Sequence, residues 1–388
     1  MTDAIEISLA PGVRDIPAAD WDACACPEVA DGNRALDPFT THAFLTALET
    51  SGSVGEDTGW LPRPMVATQD GRIIAVAPLY VKSHSQGEYV FDHGWADAFE
   101  RAGGDYYPKL QCAVPFSPVN GRRLLTRPGF EGAGRAALLQ GMETVVAQGL
   151  SSAHITFCPE DEAMAATDRG WLLRTGEQFH WMNRGYRNFD DFLAQLASRK
   201  RKAIRKERDR AQGFGGTIRV LSGDDIMPRH WDAMWDFYQD TGSRKWGRPY
   251  LTRGFFDALH GMRRDVLLVL AEQDGEPVAG ALNLIGRDTL FGRYWGCTQD
   301  QAFLHFELCY HQATEWAIAQ GLQRVEAGAQ GEHKLARGYM PVATRSAHWI
   351  AHPGLRRAVS AFLDEERTAI RADIAALTDL APYRKDAP

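Results

Sequence analysis

Two stretches, Val66–Val81 (VATQDGRIIAVAPLYV) and Leu270–Ile285 (LAEQDGEPVAGALNLI), carry the same Gln-Asp-Gly step between two apolar runs. Asp-Gly flanked by β-prone residues is the signal for a tight connection between antiparallel strands, so each stretch predicts a hairpin. The match extends in both directions. Upstream, PFTTHAFLTALE (Pro38–Glu49) aligns with PYLTRGFFDALH (Pro249–His260). Downstream, Phe91 and Trp95 align with Phe291 and Trp295, Ala147–Leu150 (AQGL) with Ala319–Leu322 (AQGL), and His180-Trp181 with His348-Trp349. Five matches in one order are what tandem duplication preserves.

Each copy reads helix, hairpin, strand, helix, strand, strand. In HQATEWAIAQGL, the glycine stands where a left-handed cap stops a helix, and RVEAGA then begins a strand. A hairpin followed by strand, crossover helix and strand makes a mixed sheet with helices on both faces, an α/β class. Asn188 is placed to cap a new helix, with Phe189, Phe192, Leu193 and Leu196 at helical spacing behind it. The domain boundary is therefore expected near Tyr186, giving domains 1–186 and 187–388. The second includes a basic helix over 189–211 and an amphipathic C-terminal helix from Leu355, expected to pack on the second domain.

With 388 residues the chain is longer than one core usually serves, which agrees with two domains. Its 44% hydrophobic and 24% charged residues are those of a folded globular protein. There is no apolar run long enough to cross a bilayer, and the opening MTDAIEISLAPG lacks the pattern of a signal peptide, so a cytoplasmic location is expected. Six cysteines show no CxxC pairing and read as reduced structural thiols. A net charge of -7 argues against indiscriminate nucleic-acid binding while leaving room for one local basic site.

The segments SRKRKAIRKERDRAQGFG from Ser198, RVEAGA ending at Ala329 and GEHKLARGYMP from Gly331 resemble the Fem family, as do KSHSQGEYVFDHGWADAF from Lys82 and YYPKLQ from Tyr106. Within it the similarity is to the FemAB-like group of peptidoglycan biosynthesis or recognition proteins. The resemblance implies two tandem acetyltransferase-like (GNAT) domains and transfer of an acyl or aminoacyl group to an amine, with the acceptor bound at the first domain. It also implies aminoacyl-tRNA as donor. Acetyl-CoA users of this fold carry a Q/R-x-x-G-x-G/A loop that cradles pyrophosphate at a helix start, whereas TLFGRYWG (Thr289–Gly296) is followed by CTQDQAFLHFEL without that pattern. No tightly bound cofactor is expected; the donor is either aminoacyl-tRNA or acyl-CoA. The rival activities are a CoA-dependent N-acyltransferase of a small molecule and a non-catalytic module that recognises peptidoglycan or tRNA.

Acyl transfer needs a polarised carbonyl, a neutral amine and a route for its proton. Gly292 and Gly296 flank Arg293, Tyr294 and Trp295 and suit a bulge that exposes a backbone amide. The densest polar constellation is His305, Glu307, Glu326, Gln330, Glu332, His333, Lys334 and Arg337. Glu326 and Glu307 are the candidate bases, with His305 and Tyr294 beside them; the alternative for each carboxylate is a plain ion pair with Arg293, Arg324 or Lys334. Arg293, Trp295, Gln330, Glu332, His333, Lys334 and Arg337 are substrate-binding candidates. His-Glu-His spacing here fits no ligand pattern, and no metal is expected. In the first copy, Lys82, His84, Gln86, Glu88, Asp92, Tyr107 and Lys109 are candidates for the acceptor, a small molecule or a peptidoglycan precursor. The basic run Arg199, Lys200, Arg201, Lys202, Arg205 and Lys206 is the candidate tRNA or phosphate surface; the alternative is a solvated helix face. Oligomeric state is not readable from the chain.

Overall fold

The computed structural model describes residues 4–245, 249–299, 301–329 and 331–384. The chain forms two compact units, Met1–Glu177 with Ala343–Ala372 (unit 1) and Gln178–Val342 with Asp373–Pro388 (unit 2). Both Gln-Asp-Gly steps are two-residue hairpin turns: Gln69 pairs with Arg72 and Gln273 with Glu276. All four turn residues are left-handed (Asp70 φ 52°, Gly71 73°, Asp274 51°, Gly275 83°), the conformation that selects Asp-Gly.

After the turns the copies differ. Unit 2 runs Glu276–Ile285 as one strand, whereas in unit 1 Pro78, which has no N–H to give a ladder, separates Arg72–Ala77 from Leu79–Lys82. The first piece joins a four-stranded sheet with Glu6–Leu9, Met65–Gln69 and Leu125–Thr126. The second pairs with Trp60–Pro62 and Lys109–Cys112; the latter runs parallel to Ser152–Cys158, which pairs with Met340–Ile350. In unit 2 the strands follow the order Thr217–Ser222, Val266–Gln273, Glu276–Ile285, Thr289–Cys297, Arg324–Glu326 and the end of Leu172–Met182. Both units mix parallel and antiparallel pairs, as the α/β reading requires.

The division at Tyr186 does not hold, because the copies exchange their last strands. Trp181 pairs with Val325 in unit 2, and Trp349 pairs with Ala153 in unit 1. Repeat matching finds both His-Trp strands but cannot tell which sheet each completes. The C-terminal helix Pro353–Asp379 is likewise shared out: its residues to Ala372 belong to unit 1. The expected helix over 189–211 is two helices, Phe189–Gln195, capped by the Asn188 side chain, and Ser198–Gln212. Between them Leu196 is extended and bridges to Tyr383, which ends the first helix. Finally, HGWADAF is part of helix His93–Arg101, so Trp95 is not the strand counterpart of Trp295.

Candidate active site

Strand Thr289–Cys297 is irregular along both edges. Against Glu276–Ile285 its register jumps from Leu282↔Tyr294 to Asn283↔Gly292, so the ladder skips Arg293. This is the expected bulge, with Arg293 as the extra residue on its strand. Gly296 serves a different purpose: a Cβ there would stand 2.2 Å from the Phe237 carbonyl oxygen, so helix Pro228–Lys245 lies against it. On the other edge the strand pairs with Arg324–Glu326 from Thr289↔Arg324 to Phe291↔Glu326, where the parallel ladder ends.

The gap is a pocket of about 100 Å³. Its strand side is formed by Ala281, Gly292, Arg293 and Tyr294, and Ala327 closes it where the partner strand departs. Trp295 and His305, with ring centroids 5.1 Å apart, make the far wall together with Cys309 and Tyr310. The last two lie on Glu307–His311, which winds as a π-helix inside an otherwise α-helical run, a distortion that concentrates at functional sites. Tyr310, its hydroxyl pKa raised by burial, hydrogen-bonds His333 Nε2 at 2.9 Å.

The two candidate bases do not line this pocket. Glu307 is fully buried and receives both Arg208 donors at 3.0 to 3.2 Å. Glu326, also buried, stands 3.2 Å from Arg324 Nε and 3.8 Å from His180 Nδ1. Each carboxylate thus takes the ion-pair alternative, although Glu307 takes it with a partner the sequence did not suggest. Lys334 is buried, donates to the Gly328 carbonyl at 2.8 Å just past the end of the short strand, and is brought down to about 8 by burial. Arg337 grips Glu207 and lies 3.5 Å over the Phe306 ring. Glu332 is exposed, and Gln330 lies outside the described residues.

In unit 1 the acceptor candidates gather into one buried network. Lys82 and Lys109 converge on Glu88 Oε1 at 3.5 and 3.4 Å, and Lys109 also holds Asp92 Oδ2 at 2.6 Å. Tyr106 donates to Asp92, and Tyr107 and Lys109 to Ser85. Lys82 lies 3.7 Å over the Trp60 ring and donates to the Gln86 carbonyl; His84 reaches Thr58 O. Burial brings Lys82 down to about 7. Behind Asp92, His154 Nδ1 meets His348 Nδ1 at 2.7 Å, and burial, seconded by the Lys109 charge, lowers His154 to about 3.

Over residues 12–385 the sequence matches the model of the FemAB-like family, described as peptidoglycan biosynthesis/recognition. The chain belongs to that family. Its fold is similar to that of FemX (13% identity, TM-score 0.54, covering 89% of this chain and 98% of that one). It is also similar to L-PGS from Bacillus licheniformis (11%, 0.50, 90% and 98%). A conserved protein of unknown function from Bacteroides thetaiotaomicron gives 14% identity and a TM-score of 0.51, over 89% of this chain and 100% of the other. No curated protein matches the sequence. No helix among the described residues is long and apolar enough to cross a membrane.

On this FemAB-like chain, helix Ser198–Gln212 exposes Arg199, Lys200, Lys202, Arg205 and Lys206, with Arg201 half-buried. Arg205 is partly engaged by Asp190 at 3.1 Å. Sequence reasoning missed Arg208, Glu207, His311, Tyr310 and Cys309 in unit 2, and His154 and His348 in unit 1. The His-Trp match did flag His348, whose environment the repeat alone does not reveal. For Arg208 the available signal was its place inside the basic run, one turn from residues that face solvent.

Proposed function

We propose that the protein transfers an aminoacyl group from aminoacyl-tRNA to an amine of a peptidoglycan precursor, with the chemistry in the unit 2 pocket. The observation that carries this reading is the coincidence, within one unit, of a strand bulged along one edge and losing its parallel partner along the other with a helix of exposed cations. A small acyl group fits a pocket of about 100 Å³. Its carbonyl would lie against the strand at the Arg293 bulge, where a donor aimed at the developing oxyanion lowers the barrier most. The amine nitrogen bonds to the carbonyl carbon, the ester C–O bond breaks, and the amine proton passes to the departing ribose oxygen. His305 and Tyr294 border that path, and Lys334, brought down to about 8 by burial and close enough to feel the Cys309 and Arg293 charges, is suited to holding or moving a proton near it.

The donor assignment draws on the helix start. Between Cys297 and Leu304 there is no glycine, and Phe303 itself takes a left-handed φ of 67° ahead of the first turn. A pyrophosphate cradle favours backbone amides approached without side-chain hindrance, and the lack of glycine here supports a donor other than CoA. The acceptor assignment draws on the family description, and a charged-tRNA donor implies a cytoplasmic location.

The test supplies purified protein with a UDP-linked muramyl pentapeptide and either a charged tRNA pool or acetyl-CoA, and looks for acylated precursor by mass spectrometry. Product from tRNA alone is expected. Product from acetyl-CoA would move the protein to the CoA-dependent acyltransferases; none from any donor would leave a recognition module.

A further inference from the structure

The π-helix Glu307–His311, between Leu304–Phe306 and Gln312–Ala319, is clamped at both ends by neighbouring residues of one helix, Ser198–Gln212. At its first residue, Arg208 donates to both Glu307 oxygens, while Gln212 and Gln312 add bonds to Oε1 at 3.1 and 2.8 Å. At its last residue, His311 Nε2 lies 2.8 Å from Glu207 Oε1, and the Arg337 fork holds the same carboxylate at 2.9 and 2.6 Å. Although partial burial opposes it, the His311 and Arg337 hydrogen bonds keep the Glu207 carboxyl below the usual range. Arg337 continues to the His333 carbonyl at 2.7 Å, and the His333 ring meets the Tyr310 hydroxyl. Between the two clamps stand Cys309 and Tyr310, which line the pocket.

The helix therefore faces two ways. Outward it presents the exposed cations Arg199, Lys200, Lys202, Arg205 and Lys206; inward, Glu207 and Arg208 hold the pocket wall. Charge-assisted forks are short and directional, so a shift of this helix cannot be absorbed by loose side chains and passes to the π-turn. We propose that Glu207 and Arg208 are positioning residues that couple binding of an RNA on the outer face of the basic helix to the shape of the pocket wall. The proposal rests on the aminoacyl-tRNA reading above. Coupling of this kind means that the two events bias one element with two arrangements.

Cys309 reports on that element. Cys24, Cys26, Cys112 and Cys158 are buried, so in a Cys297→Ser background the accessible thiol is Cys309. The experiment measures its alkylation rate by N-ethylmaleimide with and without saturating uncharged tRNA, binding being followed separately by fluorescence anisotropy. The expected result is a change in rate of roughly threefold or more on tRNA binding. Glu207→Gln and Arg208→Lys should bind tRNA as before and lose that change; Arg208→Lys keeps the charge and serves if Glu207→Gln does not fold. Bound tRNA with an unchanged Cys309 rate overturns the coupling and leaves the aminoacyl-transfer reading intact. So does a rate change that survives both variants, since it reports shielding by the RNA. Absence of tRNA binding at low salt overturns both.

Discussion

In unit 1 the parallel strands Lys109–Cys112 and Ser152–Cys158 separate after Cys112↔Ile155, and the next carbonyl, Thr156, accepts from Arg123 Nε at 3.1 Å. In unit 2 the equivalent strands separate after Phe291↔Glu326, and the Gly328 carbonyl accepts from Lys334 at 2.8 Å. In both places a carbonyl just past the last ladder pair is met by a cation. Arg123 is fully buried, donates also to Val119 and Arg122 carbonyls, and has Asp37 at 3.8 Å, so its planar fork fills the gap it satisfies. Lys334 satisfies one oxygen with a point charge and leaves the space before Ala327 open. The lesson is that a duplicated fold can keep one strand end open as a pocket and fill the other, and that the choice between Arg and Lys is part of how it does so.

Arg123→Ala breaks the comparison hardest. It strands Asp37 and several carbonyls in a dry interior and empties a large volume, for a cost of about 4 kcal/mol or more. Urea unfolding measures it. A loss under about 1 kcal/mol would mean the opening in unit 1 is not held shut by this residue. Lys334→Met is the counterpart: similar in volume, it should change stability by no more than about 2 kcal/mol. Turnover, by contrast, should fall roughly a hundredfold, close to 2.7 kcal/mol on the barrier. Wild-type turnover in that variant would remove Lys334 from the chemistry.

The sequence reading and the structure agree where the physics is local. The two Asp-Gly turns are legible because few other dipeptides accept two left-handed residues, and Asn188 is legible because a cap bonds only a few residues ahead. The Lys82–Asp92 stretch and Tyr106–Lys109 were legible as a polar constellation because their members lie close in the chain. What was not legible is pairing at a distance. Arg208 and Glu307 are 99 residues apart, and His154 and His348 are 194 apart. The strand exchange is of the same kind: His180-Trp181 and His348-Trp349 carry equal patterns, and only the packed sheets decide which edge each completes.

Acid sharpens the comparison from the unit 1 side. Folding holds His154 at about 3, far below the ordinary 6.5 to which unfolding returns it. Between those values the unfolded chain binds the extra proton, so this stability is fully present above roughly pH 6.5 and is lost as the pH falls toward 3. Glu162, pushed up to about 7 by burial, works in the other direction, its contribution being lost as the pH rises through 7. His154→Gln isolates the histidine. In that variant the decline of unfolding free energy between pH 6 and 4 should flatten by up to about 1.4 kcal/mol per pH unit. An unchanged slope would show that the buried His154–His348 contact is not what acid attacks.

The smallest effect concerns the outer face of the basic helix, where side chains touch solvent and little else. Lys206→Ala should alter stability by no more than about 0.5 kcal/mol, because an exposed lysine loses few contacts. If the face binds RNA, each phosphate contact releases condensed counterions, and removing one lysine should lower the slope of log affinity against log salt by about 1. Arg210 provides the internal control. It is exposed on the same helix but faces the Phe303 ring at 5.8 Å. Arg210→Ala should therefore leave the salt slope nearer the wild-type value than Lys206→Ala does. Equal slopes in both variants would mean that the helix acts as a diffuse positive field and does not seat a phosphate chain along one face.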